Sequence, residues 1–368
     1  MAPQRSENDP VGLLVVDKPQ GISSHGVVSR VRRLLGTRKV GHAGTLDPMA
    51  TGVLVLGAGR ATKLLGYVSG DSKTYQATIR LGIGTVTEDA EGEIEETPGF
   101  TLQDDADIDR AIARFVGLIE QVPSAVSAIK VDGRRAYALV RAGEDVQLKP
   151  RSVEVFTLER VSGPRELEVG GVPVVDVDVV VDCSSGTYVR ALARDIARVL
   201  GTAGHLTTLR RTRVGSFVID RAKTLDQLEQ MIEAGEKIPL ITLERAVTDQ
   251  FPLVVVSDAA AAAFANGRPI TPNEVLRLDS SNTMSGDKLP VEVEENRGVT
   301  HERTFPLPDE NLFPPGLGDP VKEDPSRGSG GEDRVVAIAE ESNPTNPIAL
   351  VRFEGGKFRS VLHLRVPN

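Results

Sequence analysis

The stretch Gly41-His-Ala-Gly-Thr-Leu-Asp47-Pro-Met-Ala-Thr-Gly52 is the most informative part of this chain. It places one carboxylate, Asp47, in a turn built from glycines and a proline, five residues after His42. Glycine lets a backbone approach a ligand closely, and Pro48 pushes Asp47 away from helical geometry. The apolar residues 53–56 follow and predict a buried strand. An isolated Asp-Pro pair is an ordinary turn starter, so the rest of the chain decides whether this one is functional.

Composition limits the classes of protein to consider. The 368 residues are enough for two domains, and a hydrophobic fraction of 40% supports a substantial core. There is no run of about eighteen apolar residues, and residues 1–10 lack the apolar stretch of a signal peptide. The single Cys183 excludes an internal disulfide and a multi-cysteine zinc site, and the histidines lack metal-ligand spacing. We therefore expect a cytoplasmic protein without a membrane span, a metal or a cofactor.

The net charge of −9 is distributed unevenly along the chain. Residues 279–333 contain thirteen Asp and Glu but only five Lys and Arg, a balance of −8 that accounts for nearly all of the net charge. Residues 11–63 contain eight Lys and Arg and two Asp, and residues 184–223 have the same balance. Local basic surface attracts phosphates, so these two stretches favour a nucleic-acid ligand.

Hydrophobic periodicity predicts most regular elements of the first part. They are a strand at 13–17, a helix capped by Ser24, a strand at 73–81, a helix at 106–120, a strand at 172–183 and a helix at 188–200. Tyr75 falls on the apolar face of its strand. It is either a core residue whose hydroxyl has a partner or a residue at the rim of a cleft, free to stack on a base. Arg190, Arg194 and Arg198 line one face of the last helix, with Arg190 nearest the preceding loop.

The pattern changes after about residue 244. An apolar run at 251–256, an alanine-rich helix ending at Asn266 and strands at 334–339, 347–353 and 358–366 predict a second, β-rich unit. Residues 279–333 interrupt it with seven prolines and seven glycines. Such a composition does not repay the entropy of ordering, so we predict a disordered insertion. It is either an inert tether or a segment that competes with phosphates for the basic surface.

The stretch around Asp47 resembles the signature of the TruB family, the bacterial tRNA pseudouridine-55 synthases. Further motifs of this family follow in order within residues 11–220: Gly12-Leu-Leu-Val-Val-Asp-Lys-Pro-Gln-Gly-Ile-Ser-Ser24, Lys73-Thr-Tyr75, Ser185-Gly-Thr-Tyr-Val-Arg190 and His205-Leu-Thr-Thr-Leu-Arg-Arg211. The resemblance implies an α+β fold, with a mixed, largely antiparallel sheet and a central cleft, and a C-terminal PUA-like β-barrel. The implied boundaries are a tail at 1–10, a catalytic domain at 11–245 with a mobile RNA-gripping segment at 124–151, and a PUA-like domain at 250–368 interrupted by 279–333.

The resemblance also implies roles for individual residues. Asp47 is the essential carboxylate, which either attacks C1′ or removes the 2′ hydrogen to give a glycal, and Arg190 pairs with it. Tyr75 stacks on the uracil and helps to transfer the C5 proton. The implied substrate-binding residues are His42, Tyr188, Leu209, Lys18 and Lys63. His42 fills the space that the flipped base leaves, Leu209 packs against the ring, and the two lysines either contact phosphates or are simply solvated.

The partner implied by the resemblance is the T stem-loop of tRNA, bound by a monomer without a membrane or a second protein. Moving a uracil from N1 to C5 requires no net redox change and no energy input, so no cofactor is expected. Two alternatives remain open at this point. One is a tRNA folding chaperone or RNA-binding protein without essential catalysis. The other is a synthase that acts on a different RNA or needs a guide complex.

Overall fold

The computed structural model describes residues 10–124, 130–131, 134–135, 148–279, 335–354 and 357–364. The tail predicted at 1–10, the segment at 124–151 and the insertion at 279–333 lie wholly or mostly outside these residues. The chain divides into two compact units. One comprises Leu14–Leu56 and Val68–Ile238, and the other the described parts of Met1–Leu13, Gly57–Tyr67 and Pro239–Asn368. None of the described helices is long and apolar enough to cross a membrane.

Twenty strands and seven α-helices are assigned within the described residues. The strands are β1 Gly12–Lys18, β2 Val40–Ala43, β3 Thr51–Ala58, β4 Lys73–Leu81, β5 Gly84–Thr85, β6 Ile94–Glu96, β7 Gly117–Gln121, β8 Lys130–Val131, β9 Arg134–Arg135, β10 Arg151–Arg160, β11 Arg165–Val169, β12 Val172–Cys183, β13 Gly204–Val214, β14 Phe217–Val218, β15 Lys223–Thr224, β16 Leu253–Val256, β17 Val275–Asp279, β18 Val335–Glu340, β19 Ala349–Glu354 and β20 Lys357–His363. The helices are α1 Ser24–Leu34, α2 Leu65–Gly70, α3 Asp105–Ala113, α4 Val189–Val199, α5 Leu225–Glu233, α6 Leu243–Gln250 and α7 Asp258–Ala265.

An eleven-stranded sheet organises the first unit, with the order β15-β1-β3-β13-β4-β12-β10-β7 along its main path. The pairs β1–β15 and β3–β13 are parallel, whereas β13, β4, β12, β10 and β7 pair with one another in antiparallel fashion. This arrangement confirms the predicted α+β class and the mixed, largely antiparallel sheet. Strand β4, which carries Tyr75, lies between β13 and β12 near the centre of the sheet.

The alternating pattern of β4 and the valine-rich pattern of β12 give strands with the predicted bounds. On β4, the side chains of Tyr75, Ala77, Ile79 and Leu81 are all buried. Helix α4 lies against them, and its residues Leu192 and Ile196 belong to the same apolar cluster. The core of this unit therefore forms between one face of the central strands and one face of α4.

Two local predictions were wrong. The N-cap of α1 is Ser23, whose side chain accepts a hydrogen bond from the backbone of Gly26, and not Ser24. The helix predicted at 106–120 ends at Ala113, because Gly117 has a φ of +96° and the residues after it form β7. Strand β7 pairs with β10, so pairing at the sheet edge overrides the helical periodicity of the sequence.

The other unit contains a five-stranded sheet in the order β17-β16-β18-β19-β20. Strand β16 pairs in parallel with β18, and the other neighbours are antiparallel. Helix α7 contributes Phe264 to the apolar core of this unit. The predicted strands and the alanine-rich helix are thus present, whereas the PUA-like barrel remains a prediction.

Candidate active site

Asp47 lies in a tight turn between β2 and β3, and its carbonyl accepts a hydrogen bond from the backbone of Ala50 at 3.1 Å. Its neighbours Leu46 and Met49 are buried in the core. Ser24 at the start of α1 fixes the backbone of this turn by hydrogen bonds. The Ser24 hydroxyl accepts a hydrogen bond from the Leu46 amide at 2.8 Å and donates one to the Leu46 carbonyl at 2.9 Å. The carboxylate is therefore displayed on a backbone that is fixed on both sides.

Lys18 also fixes the Asp47 turn, although the sequence suggested a contact with phosphate. Its side chain is fully buried, and its ammonium donates hydrogen bonds to the carbonyls of Pro19, Ile22 and Pro48 at 2.9, 2.7 and 3.2 Å. Burial lowers its pKa to about 8, while the nearby Asp47 carboxylate acts in the opposite direction. All three donors are occupied by backbone, so Lys18 joins the turn at Pro19–Ile22 to the Asp47 turn. A contact of Lys18 with phosphate stays a prediction.

Arg190 pairs with Asp47, as the resemblance implied. Its Nε lies 3.1 Å from Oδ2 of Asp47. The Arg190 side chain is 6% exposed, whereas that of Asp47 is 38% exposed. The guanidinium is thus buried behind a carboxylate that still reaches solvent. Helix α4 starts at Val189, so its first turn brings Arg190 to the turn.

A second carboxylate, Asp89, also pairs with Arg190, and sequence reasoning missed it. Asp89 is buried, and its Oδ2 lies 3.5 Å from Nη1 of Arg190, which also donates to the Thr87 carbonyl at 2.7 Å. Thr87 and the Glu91 amide donate to Oδ1 of Asp89. The available signal was a short polar loop, Thr85-Val-Thr-Glu-Asp89, and such a loop reads as solvated surface when no fold is known.

Tyr75 and Leu209 lie beside this ion pair, in an apolar surface that we call the apolar floor. Each is 7% exposed, and both belong to the core cluster that contains Leu46 and Met49 of the turn. Burial raises the pKa of Tyr75, and the Arg211 guanidinium acts in the opposite direction. Tyr75 is therefore a buried residue in this structure, and its contact with a base stays a prediction.

The remaining predicted residues differ in their relation to this site. His42 is half-buried, and its Nδ1 is buried without a hydrogen-bond partner. Its pKa is lowered by burial first and then by Arg211 and His25. Tyr188 is the N-cap of α4, and its backbone amide and carbonyl bind the side chain of Gln121. Lys63 is exposed and belongs to the other unit, and its contact with phosphate stays a prediction.

The site thus combines one accessible carboxylate, a buried guanidinium that orients it, a phenol and an apolar floor. A carboxylate in this setting can act as a nucleophile or as a base, and the hydrogen-bonded guanidinium keeps it in one orientation. Within the described ranges, no group of three or more histidine, cysteine or carboxylate side chains is arranged to hold a metal ion.

Two family descriptions match the sequence. "TruB family pseudouridylate synthase (N terminal domain)" matches residues 32–189, and "tRNA pseudouridylate synthase B C-terminal domain" matches residues 190–248. Similar proteins named tRNA pseudouridine synthase B include one from Cutibacterium acnes, which is 56% identical over 73% of this chain and 88% of its own length. Another, from Rhodococcus jostii, is 50% identical over 78% of this chain and 91% of its own length.

Two solved structures share the fold at low identity. The chain superposes with a TM-score of 0.61 and 23% identity on a protein in a Cbf5-Nop10-Gar1 complex, covering 96% of this chain and 85% of the other. A second match, from an H/ACA ribonucleoprotein bound to a substrate RNA containing 2′-deoxyuridine, has a TM-score of 0.59 and 21% identity. It covers 99% of this chain and 93% of the other. This likeness concerns the fold.

Proposed function

The chain belongs to the TruB family of pseudouridylate synthases, and we propose that it isomerises uridine 55 in the TΨC loop of tRNA to pseudouridine. Relatives that are at least 50% identical over the matched part of this chain are named tRNA pseudouridine synthase B, which supports tRNA as the substrate. The observation that carries the proposal is the Asp47–Arg190 pair at 3.1 Å. This ion pair brings together residues of two family motifs that lie far apart in sequence, and the Asp47 carboxylate remains accessible to solvent.

In the proposed reaction, Asp47 acts at the ribose of the target nucleotide. Its carboxylate either attacks C1′ as the glycosidic bond to N1 breaks, or removes the 2′ hydrogen to give a glycal. Arg190 keeps the carboxylate charged and oriented through a charge-assisted hydrogen bond. Because the backbone of the turn is fixed by Ser24 and Lys18, little reorganisation of the carboxylate is needed during the reaction.

Tyr75 and Leu209 are proposed to contact the two sides of the uracil. A base reaches them only after it has left its stack, at a cost of about a few kcal/mol. The apolar floor that contains both residues offsets part of this cost. Tyr75 then takes part in transfer of the C5 proton, once the uracil has rejoined the ribose through C5.

RNA binding is proposed to use His42 and the basic residues of the same unit. His42 is half-buried and lies just before the catalytic turn, and we propose that it fills the space that the flipped base leaves in the RNA loop. Arg33, Arg38 and Lys39 are exposed at the end of α1 and in the loop that follows it, where they can contact phosphates. The proposed domains are those implied by the resemblance, with catalysis at 11–245 and further RNA binding at 250–368. A tRNA substrate makes the cytoplasm the proposed location.

The experiment that tests this function uses the purified protein alone with a full tRNA transcript. We expect pseudouridine at position 55, and no product from a transcript with cytidine at that position. Formation of pseudouridine only with an added guide RNA or partner protein would favour the guide-dependent alternative. Tight tRNA binding without product would favour the chaperone.

A further inference from the structure

Arg211 is the largest fully buried side chain in the described structure, with 1% of its surface exposed. Its neighbours on β13 are ion-paired, Arg210 with Asp17 at 2.7 Å and Arg213 with Asp182 at 2.6 Å. For Arg211, no ion pair with a carboxylate is found among the residues that the structure describes. Burying a cation without a counter-charge costs free energy, so the position of Arg211 requires an explanation.

Two backbone carbonyls hold the guanidinium in place. Its Nε donates to Val53 at 2.8 Å, and Nη2 donates to Gly44 at 3.0 Å. Gly44 precedes the Asp47 turn and Val53 follows it. Arg211 therefore bridges the two chain segments that carry the catalytic turn, and its guanidinium cannot move independently of them.

The third neighbour is Tyr75. Arg211 and Tyr75 are directly opposed on β13 and β4, so their side chains lie on the same face of the sheet. The register shifts between Arg211 and Arg213, which leaves Arg213 opposite Thr74 on the polar face. Because of this irregularity, only one of the three arginines at 210, 211 and 213 lies on the apolar face of the sheet, and that one is Arg211.

We propose that Arg211 is a positioning residue that holds the Tyr75 hydroxyl and stabilises its phenolate during proton transfer at C5. This inference rests on the proposed function. Arginine can only donate hydrogen bonds, so the phenol oxygen accepts from the guanidinium and keeps one defined orientation. A fixed donor aimed at an oxygen where negative charge develops is a strong form of catalytic stabilisation.

Tyr75 first releases its phenol proton to water. After C5 has bonded to C1′, the phenolate takes the C5 proton, and the electron pair of the C5–H bond returns to the uracil ring. N1 then takes up from water the equivalent of the proton that Tyr75 released. C5 has lost one proton, N1 has gained one, and Tyr75 is again the neutral phenol from which the step began.

The charged and titratable groups that face Tyr75 come from three elements: Arg211 on β13, Cys183 on β12 and Asp47 in the turn. Burial, Cys183 and Asp47 raise the pKa of Tyr75, whereas Arg211 lowers it. Among these groups, Arg211 is thus the one that favours the phenolate. Its loss should move the ionisation of Tyr75 to higher pH.

The decisive measurement is the ultraviolet titration of Tyr75 without RNA. The spectrum of a Tyr75→Phe protein is subtracted from that of its parent, which isolates one of the four tyrosines. We expect the ionisation midpoint to be higher in Arg211→Gln than in the parent, and unchanged in the matched variant Arg213→Gln. An unchanged midpoint in folded Arg211→Gln would overturn the proposal.

Arg211→Lys provides the second variant, for the case in which Arg211→Gln does not fold. Lysine keeps the charge but cannot reach two carbonyls and the phenol together. We expect kcat to fall by about tenfold or more with KM little changed, together with an alkaline shift of the kcat profile. A wild-type kcat and pH profile in Arg211→Lys would contradict the role. If the unmodified protein forms no pseudouridine, the proposed function fails, and the RNA-free titration still decides the assignment of Arg211.

Discussion

At the residue scale, the orientation of Asp47 depends on a guanidinium that two carboxylates share. Arg190 contacts Asp47 and Asp89, and its Nη1 also donates to the Thr87 carbonyl. Asp89 is itself held by Thr87 and by the Glu91 amide. The loop at 85–91 therefore holds Arg190 through Nη1, whereas Asp47 contacts Nε. A change in this loop should affect the orientation of Asp47 through Arg190.

Asp89→Asn tests this dependence. Loss of the charge leaves Arg190 with a weaker anchor, so we expect kcat to fall by about tenfold or more while tRNA affinity changes little. Single-turnover kinetics and a binding titration measure the two quantities. The control is Asp176→Asn, which breaks the bidentate pair with Arg80 on the polar face of the sheet. Equal losses of kcat in the two variants would refute a specific role for Asp89.

At the element scale, β3 and β13 approach each other so closely that Gly52, which follows the Asp47 turn at the start of β3, has no room for a side chain. Gly52 has a φ of +101°, and a Cβ there would lie 2.1 Å from the Arg211 carbonyl oxygen. We expect Gly52→Ala to destabilise the fold strongly, because the added atom pushes the two strands apart. Urea unfolding measures this loss.

Gly201→Ala is the control for backbone strain. Gly201 has a φ of +73° but open space around its Cβ position, so we expect a loss of only about 1–2 kcal/mol there. If Gly52→Ala costs no more than Gly201→Ala, the close approach of β3 and β13 does not explain the glycine.

The polar face of the sheet carries a pH-dependent contribution to stability. Hydrogen bonds from Arg165 first, and also from Thr78 and Ser162, lower the pKa of Asp178 from 3.8 to about 2. A depressed carboxylate pKa stabilises the fold above the unfolded value, and this contribution disappears as pH falls towards the folded value. We expect the Tm difference between the parent and Asp178→Asn to be full at about pH 6 and to shrink progressively as the pH falls from about 5 to about 1.

Glu166→Gln is the matched control on neighbouring β11, because Glu166 is exposed and forms no ion pair among the described residues. Its Tm difference from the parent should stay small across the same range. A Tm difference for Asp178→Asn that does not depend on pH would contradict the assigned pKa.

Elements with strong patterns could be predicted from the sequence, and contacts between distant segments could not. Strands β4 and β12 follow from alternation and from a valine-rich run, because both patterns reflect burial directly. The second half of the helix predicted at 106–120 is wrong, because residues 117–121 pair with β10 and local periodicity contains no information about that pairing. Asp89 and the buried state of Lys18 were missed for the same reason, since each depends on segments that lie far apart in sequence. The prediction that Asp47, Tyr75 and Arg190 belong to one site came from the family resemblance. Residue patterns alone would not have placed these three residues together.

At the scale of the whole molecule, charge is divided between basic segments and the acidic stretch at 279–333, most of which lies outside the described residues. One hypothesis is that this stretch competes with phosphates and weakens non-specific RNA binding. Deleting residues 279–333 should then tighten binding to unrelated RNA at low salt, because electrostatic binding is strongest there. Unchanged affinity would identify the stretch as an inert tether.

The measurement that tests the central claim most directly is tritium release from tRNA labelled at C5 of uridine, with this protein and its Asp47→Asn variant compared. Loss of the Asp47 carboxylate should abolish release and leave tRNA binding nearly unchanged. We expect release by the unmodified protein only, mapped to the TΨC loop. Release by both proteins would contradict the role of Asp47, and release by neither, with tRNA binding intact, would contradict the proposed reaction.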